Sequence, residues 1–245
     1  MGLKAKAYIE KTKPDIVIAC DDNASRYLVK PYYKDSTLPF VFCGVNHNAK
    51  AYGYPYKNAT GMIEIAPVKP SLKIASDSVP GVKKGIYLSV DVHSQHKEYA
   101  LNKKIYAKSG ITLDRILVSN MEDWVKGYVR SQKLGQFVII GSNGGLKEWD
   151  KAKAKKVTQE NTRVLTITNM SWMIDYSMLA ITKSANEQGE WAAKVALEIL
   201  SGTKPSSIPV VSNRKWNIYV NKDLINRAKI SVPYSITSKA VNVAK

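Results

Sequence analysis

Two apolar runs near the start of the chain, residues 16–20 (IVIAC) and 40–43 (FVFC), each break off abruptly. The first runs into Asp21, Asp22 and Asn23, the second into Gly44, Val45, Asn46, His47 and Asn48. An uninterrupted run rich in β-branched and aromatic residues suits a strand covered on both faces of a parallel sheet. Residues 24–33 between the runs have helical length, so the unit reads strand–helix–strand. Ligands of such sheets bind outside the carboxyl ends of the strands. The two polar strand ends are therefore a candidate binding edge.

The pattern continues along the chain. Residues 3–13 read as a helix, and a helix leading into a parallel strand normally follows a strand of its own. An earlier strand and helix are therefore expected before Met1. Residues 51–57 (AYGYPYK) predict an aromatic loop, and 58–62 (NATGM) lead to a short helix ending near Ala75. From Gly85 the alternation is regular, with strands at 85–90, 115–119, 137–140 and 163–168 and helices at 97–108, 122–133 and 147–160. That order predicts a second parallel sheet. Its strand ends turn polar at Asp91, Asn120, Asn143 and Asn169. Ser184 with Glu187 predicts a capping box for a helix whose stripe Trp191, Val195 and Ile199 faces a core. Gly202 and Pro205 stop that helix. Residues 208–211 and 216–220 read as extended and 222–228 as a short helix.

Composition narrows the function. The 245 residues, 44% of them hydrophobic, are enough for one large domain or two modest lobes with a real core. No window is apolar over the ~18 residues that a membrane span needs, and residues 1–13 read as a mixed Lys/Ala/Ile helix without the apolar centre of an export signal. The net charge of +17 comes from scattered lysines, whereas arginine, the commonest base reader, occurs only at 26, 115, 130, 163, 214 and 227. Dispersed charge favours solubility or attraction to anionic surfaces over nucleic-acid recognition. The two cysteines, Cys20 and Cys43, offer no zinc spacing and no disulfide framework. Buried free thiols are expected, because a bridge between neighbouring strands is strained. The GSNGG segment at 141–145 lacks the dinucleotide spacing. With His47, His93 and His96 the only histidines, no nucleophile–base arrangement is indicated. A non-enzymatic protein with no cofactor and no metal is expected.

Four stretches resemble the type I periplasmic substrate-binding proteins of ABC transporters, in the branch that includes aromatic amino-acid binding proteins. They are PDIVIACDDNA at 14–24, PFVFCGVN at 39–46 followed by NATG at 58–61, LAITKSANEQGEWAAKVALEILSGTKPSSIPV at 179–210, and NIYVN at 217–221 with Ala228 and Pro233. The resemblance spans residues 14–233. It implies an α/β fold of two Rossmann-like lobes joined by a hinge, the first lobe lacking its initial strand and helix. On that reading the first lobe comprises 1–59 and 183–235, the second 60–182, and 236–245 is a tail. The resemblance also implies a small-molecule solute held between the lobes, a membrane ABC permease as partner and a periplasmic or extracellular location. The incomplete first lobe leaves a monomer and a strand-exchanged dimer both open. A similar DDNA…FCGVN pattern occurs in extracellular ligand-sensing modules of signalling proteins, which is the alternative reading.

By this resemblance Asp21, Asp22, Asn23, Asn46, Asn48 and Tyr52 of the first lobe contact the solute, with Asp91, Asn120, Asn143 and Trp172 of the second. Asn58, Thr60 and Gly61 are expected at the hinge. Each has a structural alternative. Asp21, Asp22 or Asn23 would cap a helix starting at Ala24, Asn46 and Asn48 are ordinary turn residues, and Tyr52, Tyr54, Tyr56 and Tyr176 pack loops as readily as they wall a cleft. Many family members carry a small residue and Thr at the positions of Asp21 and Asp22, and an Asp at that of His47. The acids here would repel a solute carboxylate and favour a cationic or hydroxyl-rich face.

Overall fold

The computed structural model describes residues 1–242. Its strands are β1 (Val17–Cys20), β2 (Phe40–Asn46), β3 (Ala59–Glu64), β4 (Lys84–Val90), β5 (Thr112–Val118), β6 (Phe137–Ile140), β7 (Leu165–Thr168), β8 (Leu179–Lys183), β9 (Val211–Ser212), β10 (Trp216–Val220) and β11 (Val241–Asn242). They form two sheets, of order β1-β2-β3-β9 and β11-β10-β8-β7-β6-β4-β5. The first is parallel throughout, as are the β5-β4-β6-β7-β8 pairings of the second.

The chain divides into two compact units. One comprises Met1–Ala66 and Lys183–Lys215, the other Pro67–Thr182 and the chain from Trp216 on. It thus passes from one unit to the other after Ala66, Thr182 and Lys215. Two expectations are corrected here. The first crossing does not fall at Asn58–Gly61, because residues 59–64 are a full strand of the first sheet, with Phe40 opposite Ala59. Asn58 Nδ2 donates to Tyr33 O at 2.9 Å and Leu38 O at 2.7 Å, and Thr60 Oγ1 to Ile208 O at 2.8 Å. Gly61 is required by packing: a Cβ there would lie 2.2 Å from the Phe42 ring. The second correction concerns residues 216–235, expected in the first lobe. β10 takes its place beside β8 in the second sheet, so this segment belongs to the second unit.

In the first unit β2 is buried on both faces, as its sequence predicts. Phe40, Phe42 and Val45 pack with Ala19, Leu28, Val29, Tyr33, Tyr52, Tyr54 and Tyr56. Val41 and Cys43 point the other way, onto Ala192, Val195, Ala196 and Ile199 of the helix Ala185–Leu200. In the second unit, Ile86, Leu88, Val138 and Ile140 form the core with Trp124, Tyr128 and Met173. The helical stretch after β1 begins at Asp21, three residues earlier than expected, and runs to Tyr32 as Asp21–Ala24, a π-helical Ser25–Val29 and Lys30–Tyr32. No side chain caps it, which removes the N-cap reading of Asp21, Asp22 and Asn23. The two acids occupy its first turn instead, where the positive end of the helix dipole favours them.

Candidate functional site

The strand ends of the first unit gather a connected set of polar side chains. Asp21, directly after β1, adopts φ 74°, and Gly44 and His47 near the end of β2 have φ 70° and 59°. Asp21 and His47 turn the chain as it leaves the sheet, and Gly44 sits at the bulge where the β2–β3 register shifts between Phe42 and Val45; Asp accepts the left-handed region more readily than most residues. The Gly44 N–H donates to Gln188 Oε1 at 3.0 Å, which anchors the bulge on the helix Ala185–Leu200. Beyond it Asn46 Nδ2 donates to Asp22 Oδ2 at 2.7 Å. The Tyr52 hydroxyl lies beside Asp22, and burial, then that acid, push its pKa up to about 12. Arg26 contacts the same hydroxyl and acts in the opposite direction. On the other side Lys183 Nζ pairs with Glu64 Oε2 at 2.6 Å and reaches Asn46 Oδ1 at 3.4 Å.

The chain of contacts therefore runs Glu64–Lys183–Asn46–Asp22–Tyr52–Arg26. Asp22 is held by Asn46 and neighbours the Tyr52 hydroxyl, so it sits at the centre of the edge. Asp21 is exposed, and its Oδ1 accepts the Asp22 N–H at 2.6 Å. Other expectations fare differently. Asn23 is exposed and lines a hollow of about 630 Å³ with Met1, Leu3, Tyr27 and Tyr32, and none of the network's hydrogen bonds involves it. Asn48 caps the turn Ala49–Tyr52 by accepting the Lys50 N–H at 2.9 Å. Tyr54 and Tyr56 are core residues, Tyr54 stacked on Phe42 at 4.1 Å.

The second unit has its own strand-end groups. Asp91, after β4, meets His96 Nε2 at 2.6 Å, and Arg115 reaches the other ring nitrogen at 3.2 Å. Asn120 is spent on the helix Met121–Leu134: its Oδ1 accepts the Asp123 N–H at 2.9 Å and its Nδ2 donates to Asp123 Oδ2 at 2.8 Å. Asn143 Oδ1 accepts from the indole N–H of Trp172 at 3.2 Å, and that ring is 58% exposed. Tyr176 is buried against Trp124 and Trp149. Gln95 had no signal in the sequence, yet its Oε1 gathers the Tyr87 and Ser89 hydroxyls at 2.9 and 2.7 Å. Lys183, Glu64 and Arg26 were also missed. Nothing in their local sequence marks these charges; their partners Asn46, Asp22 and Tyr52 are fixed only by the fold. Among the described residues no group of three or more His, Cys, Asp or Glu side chains is placed to hold a metal ion.

Two α/β units built on parallel strands, between which the chain passes three times, define the type I periplasmic-binding-protein fold. The chain belongs to the ABC transporter substrate binding protein family, whose model matches residues 3–244. A substrate-binding protein with adhesive properties from Clostridium difficile, solved ligand-free and open, superposes with a TM-score of 0.79. Its identity is 16%, over 99% of this chain and 82% of that one. A conserved domain protein from Vibrio cholerae gives 0.67 at 16% identity, covering 99% and 83%. An ABC domain from Streptococcus pneumonia in complex with L-Trp gives 0.64 at 15%, covering 98% and 84%. At these identities the structures show a shared fold. A comparison with curated proteins finds no match.

Proposed function

We propose that the chain serves outside the cytoplasmic membrane as the solute-capturing subunit of an ABC uptake system, delivering its cargo to a membrane permease. We further infer that the solute meets the first unit with a cationic or hydroxyl-rich face. The observation that carries this is the exposed Asp21 carboxylate beside Asp22, which Asn46 holds in place. Like charges about 4 Å apart repel by roughly 1 kcal/mol in water and about 4 kcal/mol at the effective dielectric of a protein surface. A solute that presented only a carboxylate here would lose that much. An ammonium or a set of hydroxyls would gain charge-assisted hydrogen bonds instead. Amino acids remain within this class when their ammonium group faces Asp21; the pneumococcal structure, a complex with L-Trp, is of that chemical type.

A thermal-shift screen with amines, amino acids, nucleosides, polyols and simple carboxylates tests the proposal, with calorimetry on the hits. A solute at a hundred times its Kd stabilises the folded chain by about 2.7 kcal/mol. Stabilisation by amines, amino acids or polyols and none by simple carboxylates is the expected outcome. Stabilisation by simple carboxylates alone would overturn the inferred solute class. A flat response to the whole panel would count against solute capture itself.

A further inference from the structure

Cys20 and Cys43 face each other in the parallel register of β1 and β2, with their Sγ atoms 3.3 Å apart. Both are free thiols; Cys20 is exposed and Cys43 is buried. We propose that they form an oxidation site for small-molecule disulfides, in which Cys20 is modified first and Cys43 then closes an intramolecular Cys20–Cys43 disulfide.

The geometry supports closure. Neighbouring strands lie about 4.7–4.9 Å apart, inside the Cα separation of roughly 4.4–6.8 Å that disulfides span. Paired positions of a parallel ladder also send their side chains to the same face. A covalent bond of about 2.05 Å then needs only modest side-chain rotation. A bridge between adjacent strands carries strain, and strained, exposed disulfides are the easily reduced ones. A resident metal fits less well, because a closed zinc site takes four ligands and no such group occurs among the described residues.

The reaction balances without any further reagent. The Cys20 thiolate attacks one sulfur of R–S–S–R, expelling RS⁻ and leaving a Cys20–S–S–R mixed disulfide. Cys43 passes its proton to the released RS⁻ and attacks the Cys20 sulfur, expelling the second RS⁻, which takes a proton from water. Two protein thiols are oxidised, and the small disulfide is reduced to two thiols. The order follows from surroundings. Burial, and then the neighbouring Cys20, push the Cys43 thiol up to about 12, with Glu64 adding a smaller push in the same direction. The helix over it presents apolar Ala192, Val195 and Ala196. Cys43 is thus a poor first nucleophile, while Cys20 meets the solvent. The bond would join the roots of the two segments that carry Asp21 and Asn46, although the thiol chemistry stands apart from the solute reading.

The test is incubation of the folded chain with oxidised glutathione, followed by intact-mass measurement and a non-reducing peptide map. The expected result is loss of both free thiols, a Cys20–Cys43-linked peptide, and recovery of both thiols in reduced glutathione. Cys43→Ser should stop at a persistent glutathione adduct on Cys20, and Cys20→Ser should take up none, with circular dichroism reporting the fold of each. A wild-type chain that stays fully reduced, or that accumulates the adduct without closing, would overturn the proposal. So would modification of Cys20→Ser at the wild-type rate. Should Cys43→Ser fail to fold, the wild-type peptide map decides alone.

Discussion

Asp21 holds a left-handed backbone at φ 74° and an exposed carboxylate at the first strand end. For most L-residues that conformation costs about 1–2 kcal/mol, and strain of this kind persists where the surroundings impose it. Asp21→Gly is therefore expected to keep or raise the melting temperature while lowering affinity for any solute found in the screen. Asp21→Ala should lower both, since it keeps the strained φ and removes the carboxylate. Calorimetry and thermal melts on the pair separate the two effects. An Asp21→Gly chain that binds as tightly as wild type would exclude Asp21 as a contact. At this scale the sequence was ambiguous. Asn46, Asn48 and Asn120 have the same donors and acceptors, and each stands at a strand end or beside one. Asn48 and Asn120 became caps because a backbone N–H two or three residues on lies within reach, whereas Asn46 found Asp22, which is distant along the chain. Side-chain chemistry lists what a residue can bond, and only the fold supplies the partner.

The chain leaves and re-enters the first unit beside a group of side chains that fix its exits. Lys183 pairs with Glu64, Asn213 Oδ1 accepts the Ile65 N–H at 2.7 Å, and the Glu187 carboxylate accepts the Arg214 and Lys215 N–H groups at 2.9 and 2.8 Å. Glu187 thus only half fulfils its expected capping box. Its N–H meets Ser184 Oγ at 3.4 Å, while its carboxylate secures the third exit. The Lys183–Glu64 pair is mostly buried, with side chains 32% and 19% exposed. Removing one partner of a charged hydrogen bond costs about 1–3 kcal/mol. Lys183→Met should destabilise the chain by that order in urea unfolding. Adding Glu64→Gln should restore part of the loss, because no unpaired charge remains. Additive losses in this double-mutant cycle would show the pair to be uncoupled. Most elements were legible from periodicity, including β2, β4, β6 and the helix Ala185–Leu200. β3 was not. Asn58 and Gly61 carry turn signals, yet Gly61 is there to let Phe42 approach, a requirement set by the neighbouring strand.

Across the whole molecule, tyrosines are built into both cores. Burial raises the phenol pKa of Tyr54 in the first unit and of Tyr87, Tyr106 and Tyr128 in the second. The fold holds the neutral phenol, so each folded pKa lies above the unfolded value of about 10. The stability from these groups is fully present below that pH and is lost as pH rises towards the folded values. Alkaline unfolding should therefore begin above about pH 10, with phenolate absorbance from the buried tyrosines rising together with loss of helical circular dichroism. Titration of those tyrosines with the circular dichroism unchanged would contradict their burial.

By itself the sequence determined the fold class, the order of most strands and helices, and the polar ends of β1 and β2. Local periodicity decides which segments bury which faces, and a strand covered on both sides must read as an apolar run. The tertiary structure decided which unit each late segment joins. β10 lies beside β8 rather than in the first sheet, an outcome of strand pairing between segments far apart in the chain. It also decided which acid is held and which is exposed at the first strand end, and that two thiols 23 positions apart lie within 3.3 Å. Those distances depend on register, which a one-residue slip would change for every side chain of a strand.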